Sequence, residues 1–466
     1  MKPEYLQLAH EAYLAGADLR ERRCRYKRYT YGAQWDDPVV GPTGEVMTEG
    51  ELATANGNRP LTNNMIRQMV KCVVGNFRNS MHDAQPQGVN VDEEVAMRNA
   101  LDELDCRLLE EFLISGCAIQ RIVAEHRMGG CGVWVDNVSP DEFFVNAYRD
   151  VRGHDIELVG MLHGMSRREL LMRFGGVSGA KAMWLNGLYD RLQSGGAPEL
   201  GKDAGSDFYT ASPGRCRVIE VWTLESRNIV KCHDRMNASV FNIAPRDAAT
   251  VRKINAERAK AGTEAIEMCA RTTMRWHCRF YAPGGELLDE YDSPYGHGMH
   301  PFMVKMYPLI DGEVHSFVED VVDQQRYINR LITLMDHVLG SSAKGVLLFP
   351  VDQKPDGLSW RELGALWANT NSVIPYYRTG NGVEPRQVVN SGEHTGAHQL
   401  LDIELKLLQQ ISGVSGALQG QLGRGDSSAA LYEAQTRNAA VALRDLLDTF
   451  HSFRQLRNRK IAQTMS

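Results

Sequence analysis

Two amphipathic stretches, Ser316 to Gly340 and His398 to Ser412, constrain the fold of this chain more than any other feature. In the first, Val318, Val321, Ile328, Ile332, Met335 and Leu339 recur at steps of three, four and seven, which puts them on one stripe of a helix. Glu319, Asp320, Asp323, Gln324, Arg326, Asn329, Arg330 and Asp336 fill the rest of the circumference and are expected to be wet. Ser316 stands three residues before Glu319, a capping-box spacing, and Gly340 is the expected stop. A helix from Phe317 to Leu339 is about 35 Å long, and one from Leu400 to Ile411 about half that. Between them lie the short apolar run KGVLLFP, the helical WRELGALWAN, and the strand-like SVIPYY and VEPRQVVN. This is a compact insertion that leaves one helix and returns into the other.

Before the first stretch, the period changes several times. Residues 4 to 28 read as helical and end in the basic run Arg20 to Arg28, expected to be a solvated helix face or the last turn of a helix, with nucleic-acid contact as a minor alternative. A turn-rich passage containing Trp35 and a polar loop lead to NRPLTNNMIRQMVKCVVGNFRNS, a cap at Asn63 or Asn64 and an amphipathic helix through Gly75. A second helix, 92 to 115, is expected to bury Val95, Met97, Leu101, Leu104, Leu108, Leu109 and Phe112. From Gly116 the pattern alternates: CAIQRIVAEHRM, Gly129 and Gly130, then CGVWVDNVSP read as a β-hairpin. SRRELLMRFG is a short capped helix, RVIEVWTLES a strand, and RTTMRWHCRFYAP with GGELLDEYDSP a second hairpin about Gly284 and Gly285. The charged segment 245 to 267 reads as a solvent-exposed helix or excursion. Residues 1 to 315 are therefore expected to form an α+β domain.

After the second stretch, Gly413 to Ser428 is a loop with hardly a bulky side chain, and from Ser428 a third helix runs to a basic end, with Leu431, Ala434, Asn438, Val441, Leu446, Phe450 and Phe453 near one face. Gly420, Gly423 and Gly425 before that helix lack both a GK[ST] sequence and a preceding apolar strand, so a nucleotide-binding loop is not indicated. Cys232 with His233 and Cys278 with His277 would be metal ligands only if the strands brought them together. His297 and His300 sit in a Gly- and Pro-rich turn. No GxSxG, HExxH or cysteine-nucleophile context occurs, and catalysis, metal and cofactor are not indicated. The net charge of -6 argues against a broad basic surface for nucleic acid, without excluding a passage through which it slides. Nine cysteines without a CxxC pair fit reduced thiols, and no stretch is long and apolar enough to span a bilayer, so a soluble intracellular protein is expected.

The order of these parts resembles the portal, or head-to-tail connector, proteins of tailed bacteriophages, especially the short-tailed type. The resemblance lies in YGAQWDD followed by NRPLTNNMIRQMVKCVVGNFRN, in VSPDEFFVN, in HPFMVKMYPLIDGEVHSFVEDVVDQQRYINRL, and in ISGVSGALQGQ with SSAALYEAQTR after it. It implies a multidomain α+β portal-like fold: a wing at 1–315, stem helices at 316–340 and 394–412, a clip at 341–393, a tunnel loop at 413–427 and a long helix toward wing and crown at 428–466. It implies a ring, usually of twelve copies, at one capsid vertex, through which double-stranded DNA is packaged and ejected. Partners implied are the terminase motor, the major capsid protein and scaffold, and tail or head-completion adaptors, in the virion and, during assembly, in the host cytoplasm. On this resemblance Gly420, Gln421, Gly423, Arg424, Gly425 and Ser427 face the DNA. Val321, Ile328, Leu331, Ile332, Met335 and Leu405 form the subunit interface, and Lys344, Trp360, Arg361 and Trp367 the docking face of the clip. The family's crown or barrel beyond the third helix is not expected within these 466 residues. The alternatives are another ring-forming head or tail adaptor, or a metal-dependent nucleic-acid-processing enzyme.

Overall fold

A computed structural model of the chain describes residues 3–83, 91–127, 130–177, 179–194, 206–342, 346–368, 374–377, 384–388, 395–414, 441 and 443–465. The chain opens with helices α1 (Glu4–Ala15) and α2 (Ala17–Tyr31), the short pair β1 (Pro38–Val40) and β2 (Val46–Thr48), then α3 (Glu49–Ala55) and α4 (Met65–Asp83). Asn64 starts α4 by accepting the Arg67 amide at 3.0 Å, and the helix continues past Gly75. The region 92–115 is two helices, α5 (Glu93–Asn99) and α6 (Leu101–Ser115), because Ala100 sits at φ 47 and breaks the ladder. That break turns Met97 outward, against the expectation from periodicity.

Next come β3 (Cys117–Arg127), β4 (Gly130–Asn137), β5 (Phe143–Val145) and β6 (Leu158–Met165), then α7 (Arg167–Phe174), α8 (Gly179–Ser194) and α9 (Ser206–Tyr209). β3 and β4 pair as the expected hairpin, with Arg127 opposite Gly130. Ser166 caps α7 with a full capping box to Glu169. The strand read at 217–226 is longer than its alternation suggested: β7 (Cys216–Asp234) pairs with β8 (Ser239–Ile243) and β9 (Glu267–Tyr281), and between β8 and β9 lies α10 (Ala248–Lys260). β10 (Leu287–Asp292) closes the second expected hairpin, and β11 (Phe302–Met306), β12 (Pro308–Ile310) and β13 (Glu313–Val314) follow. Then come α11 (Val322–Ser342), β14 (Val346–Leu348), α12 (Trp360–Ala368), β15 (Arg386–Val388), α13 (Thr395–Ser412) and α14 (Arg444–Met465).

The chain divides into two compact units. The first comprises residues 1–24, 74–316 and 443–466, and the second 25–73 and 317–442, so residues 25–73 cluster with the helical region and not with the sheets.

In the first unit, a sheet ordered β10-β9-β7-β6-β5, with β8 on β7, accompanies the three-stranded β11-β3-β4. Their apolar faces, including Val159, Val218, Trp222, Phe280 and Phe302, form the main core. Two glycines are dictated by close approach. A Cβ on Gly160 would stand 2.2 Å from the Glu220 carbonyl, and one on Gly116, which turns α6 into β3 at φ 71, would stand 2.8 Å from Val314. Helix α14 packs on β3, β4 and β11 and seats Phe450, Phe453 and Ile461 in the interior. The basic run 20–28 is largely paired instead of solvated. In this unit Arg23 is buried and holds Glu111 and Asp141, and Arg20 lies 3.6 Å over the Tyr13 ring.

Candidate functional site

The second unit is built around α11. A 3-10 turn at Glu319–Val321 precedes it, so the helix starts later than Ser316 implied, and it runs past Gly340. Val321, Val322, Ile328 and Leu331 are buried, as an apolar stripe should be. A second, polar stripe is buried as well. Gln325, Asn329 and Thr333 lie four residues apart, one turn above another, and all three are inaccessible. Gln325 Nε2 donates to the Asn63 carbonyl at 2.7 Å, and its Oε1 accepts the Met65 amide at 2.9 Å. Asn329 Oδ1 accepts the Asn63 amide at 3.2 Å and its Nδ2 donates to Gln34 Oε1 at 2.6 Å. Thr333 Oγ1 accepts the Leu61 amide at 3.1 Å. The expectation that Asn329 is wet is thus corrected. The backbone of residues 61–65 has no regular partner strand or helix there, and the amide side chains of α11 satisfy it.

Ion pairs extend the same clamp. Arg326 Nε donates to Glu49 Oε2 at 2.7 Å, Arg330 reaches the other oxygen, and Glu49 at the start of α3 is buried. Asp37 accepts from Arg25 at 2.9 Å and from the Tyr29 hydroxyl at 2.9 Å. Burial opposes ionisation of Asp37, but those hydrogen bonds and the Arg25 charge outweigh it and hold the carboxyl below its ordinary value.

α13 packs beside α11. Strand pairing of Val346 with Val388 ties the end of α11 to the start of α13, so the two helices form an antiparallel hairpin. Of the interface residues expected from the sequence, Val321, Ile328 and Leu331 are buried within the chain itself, and Ile332, Met335 and Leu405 are half-buried. The expected stripe is therefore largely consumed in building the unit, and the side chain of Leu339 lies outside the described residues. Among the described residues a different apolar stripe is exposed: Leu400, Ile403, Leu407 and Ile411 on α13, between 36% and 51% exposed, with Tyr327 and Leu334 exposed on α11. Its signal was present in the sequence, since α13 carries apolar residues on more of its circumference than one buried face needs.

The insertion joins β14, a 3-10 turn at Val351–Gln353, α12 and β15. Ser359 and Glu362 form a reciprocal cap for α12, with Glu362 Oε2 accepting the Ser359 amide at 2.7 Å. The Phe349 ring meets Trp360 and Tyr376 edge-on at 6.4 and 6.5 Å, and Lys354 Nζ lies 5.8 Å from the Trp360 ring. Residues 374–377 of SVIPYY are irregular instead of a strand. Trp360, Tyr376, Tyr377, Leu348 and Val351 are exposed, Arg361 is exposed and Trp367 half-buried. Lys344 lies outside the described residues, as do Gly420, Gln421, Gly423, Arg424, Gly425 and Ser427.

Buried charge in the first unit is paired for structure. Glu220 is fully buried and receives Arg121 at 3.2 Å, His163 at 2.6 Å and Trp222 Nε1 at 2.7 Å. Burial opposes its ionisation, yet the Arg121 charge and the His163 bond hold its carboxyl well below the ordinary range. The two Cys-His neighbours do not meet. His233 stands opposite Glu267 and His277 opposite Thr223, ten residues apart on the same ribbon, which is about 33 Å. Among the described residues no group of three or more His, Cys, Asp or Glu side chains is placed to hold a metal ion, and no helix is long and apolar enough to cross a membrane.

Nothing among curated proteins matches the chain. The sequence model of one family does, over residues 6–466, and that family is described as Phage P22-like portal protein.

Proposed function

The chain belongs to the P22-like phage portal protein family, and from that membership we propose that it is one subunit of a closed ring, of about twelve copies, that conducts double-stranded DNA at a single capsid vertex. As a member of the family it is a structural head-to-tail connector of the virion. In that ring α11 and α13 are the stem, residues 341–393 the clip and 413–427 the tunnel loop. Residues 1–315 serve as wing, together with residues 428–466, of which α14 is described while Leu431, Ala434 and Asn438 lie outside the described residues. Terminase and, later, tail adaptors dock on the clip through Trp360, Arg361, Trp367, Lys344 and the exposed Tyr376 and Tyr377. Capsid protein and scaffold meet the wing, during assembly in the host cytoplasm. Gly420, Gln421, Gly423, Arg424, Gly425 and Ser427 line the DNA path.

One observation carries the ring: the antiparallel helix hairpin leaves Leu400, Ile403, Leu407 and Ile411 uncovered along one face of α13. A contiguous apolar stripe of that length on a soluble chain calls for a partner. Each side chain is about half exposed, so covering it is worth roughly 1 kcal/mol, or about 4 kcal/mol for the stripe in every interface. A neighbouring copy offers Tyr327 and Leu334 in return. The test is native mass spectrometry of the purified chain and of a variant with Ile403→Asp and Leu407→Asp. The expected outcome is a closed ring of about a dozen copies for the first and folded monomers, with unchanged circular dichroism, for the second. Intact rings from the variant would remove α13 from the interface. Leu331→Asp is a poor probe, because Leu331 is already buried within the subunit and the change would unfold it.

A further inference from the structure

The acidic net charge of the chain conceals a local excess of the opposite sign. Residues 227–275 hold ten Lys and Arg against five Asp and Glu, in a chain of net charge -6. This segment is the distal part of the β7–β9 ribbon with β8 and α10, and it has a small core of its own in Val230, Cys232, Ala248, Val251 and Ile266. The strand register assigns its two faces. Val230, Cys232 and Met268 point to α10, so residues of the other parity, including Lys231, Arg271 and Arg275, share the opposite face.

That face is sorted into paired and unpaired charge. Toward the main sheet, Glu225 takes Arg279 at 2.6 Å and Thr223 at 2.9 Å, while Arg227 donates to Asp292 at 2.9 Å. At the distal end Glu267 accepts from Arg235 at 2.6 Å and faces His233 at 3.6 Å. Between these ends Lys231, Arg271 and Arg275 are exposed, and among the described residues none of the three has an ion pair. Lys231 stands opposite Cys269, Arg271 opposite Ile229, and Arg275 opposite Glu225, whose carboxylate is already engaged. The three cations therefore span about 20 Å of one open ribbon face, a length over which duplex DNA presents about a dozen phosphate charges.

We propose that this ribbon face, through Lys231, Arg271 and Arg275, binds the phosphate backbone of double-stranded DNA without regard to sequence, through residues other than those of the glycine loop. Long cations spaced along a face that carries no aromatic anchor suit a phosphate backbone. A protein partner is generally held by buried aromatic and Arg side chains packed in pockets. Binding of this kind releases counterions, so it must weaken steeply with salt.

The test is anisotropy of a labelled duplex of about 30 base pairs, titrated with the full chain at several salt concentrations. The comparison is a variant with Lys231→Gln, Arg271→Gln and Arg275→Gln, and the control a variant with Arg168→Gln, Lys181→Gln and Arg191→Gln. If the three cations each neutralise a phosphate, they contribute about -2.7 to the slope of log affinity against log salt, or about a 40-fold loss between about 50 and 200 mM. The ribbon variant should lose that part of the slope and bind at least about tenfold more weakly at the low-salt end, while the control keeps both. Equal slopes for the ribbon variant and wild type, or equal losses in the two variants, would overturn the proposal. So would a labelled polyglutamate that binds through the same three residues when the duplex does not, since the face would then serve an acidic protein. The measurement does not depend on ring formation, so a failure here is distinct from a failure of the stem interface.

Discussion

Asn329→Ala tests whether buried amides, and not the apolar stripe alone, determine what α11 holds. Asn329 is 1% exposed, accepts the Asn63 amide at 3.2 Å and donates to Gln34 Oε1 at 2.6 Å. Truncation leaves the Gln34 oxygen buried and bare, and takes the partner from the Asn63 amide, which belongs to an exposed residue. The third bond of Asn329, from Gln325 Nε2, is less critical, because that nitrogen keeps the Asn63 carbonyl at 2.7 Å. An unmade buried hydrogen bond costs about 1–3 kcal/mol, and the Gln34 oxygen is the one left buried, so the loss is about 1–3 kcal/mol. The loss falls on the docking of residues 58–66 rather than on α11, whose own helical bonds are intact. Hydrogen-exchange mass spectrometry of peptides covering 58–66 is the direct assay, since a drop of about 1–3 kcal/mol in local opening energy accelerates exchange by roughly 5- to 160-fold. Asp323→Ala, on the exposed side of the same helix, should leave those peptides unchanged. Unaltered exchange at 58–66 in Asn329→Ala would show that the amide ladder is incidental and that apolar packing alone seats the segment.

Two further outcomes follow from buried charge in the first unit. Asp105 is fully buried and holds Arg454 at 2.7 Å and Arg457 at 2.8 Å, and Arg457 is itself 1% exposed. Asp105→Asn strands a guanidinium in the interior at roughly 3–5 kcal/mol, and limited proteolysis should then release α14, whereas a wild-type cleavage pattern would count against that role. Lys460 is buried with its Nζ 2.7 Å from the Phe302 carbonyl, and burial pulls its ammonium down to about 7 from an ordinary 10.5. Between about pH 7 and 10.5 the unfolded chain carries that proton and the folded chain does not, so this group adds stability as pH rises through the window and nothing further below it. The stability of wild type relative to Lys460→Met, measured by thermal unfolding, should therefore grow from pH 7 upward. A difference that is flat with pH would refute the assignment.

Local patterns were legible wherever a residue's role is decided by its near neighbours. The Ser166 to Glu169 capping box, the β3–β4 hairpin, the β9–β10 hairpin about Gly284 and Gly285, and the apolar stripe of α11 all rest on contacts within a few residues or one hairpin. Boundaries were less legible. Ala, the best helix former, breaks the helix at position 100, and α4 runs through Gly75, so propensity at a single position does not fix a boundary. The order of the parts along the chain was also legible, and the family resemblance it carried is the one the family match bears out.

What the tertiary structure alone decided is the fate of polar and charged side chains, whose partners are remote in sequence. Asn329 looks wet on a helical projection and is buried because Gln34, 295 residues earlier, and the backbone near Asn63, 266 residues earlier, come to meet it. Arg23 reads as one charge in a basic run and becomes a buried ion because Glu111 and Asp141 lie 88 and 118 residues away. Lys231, Arg271 and Arg275 are unremarkable in order and become one face only through the register of β7 against β9. Apolar burial is non-directional and can be read from period, which is why the main amphipathic helices, the hairpins and the family were legible without the fold, though their boundaries were not. A hydrogen bond or an ion pair needs a particular atom at a particular distance, and only the folded chain supplies it.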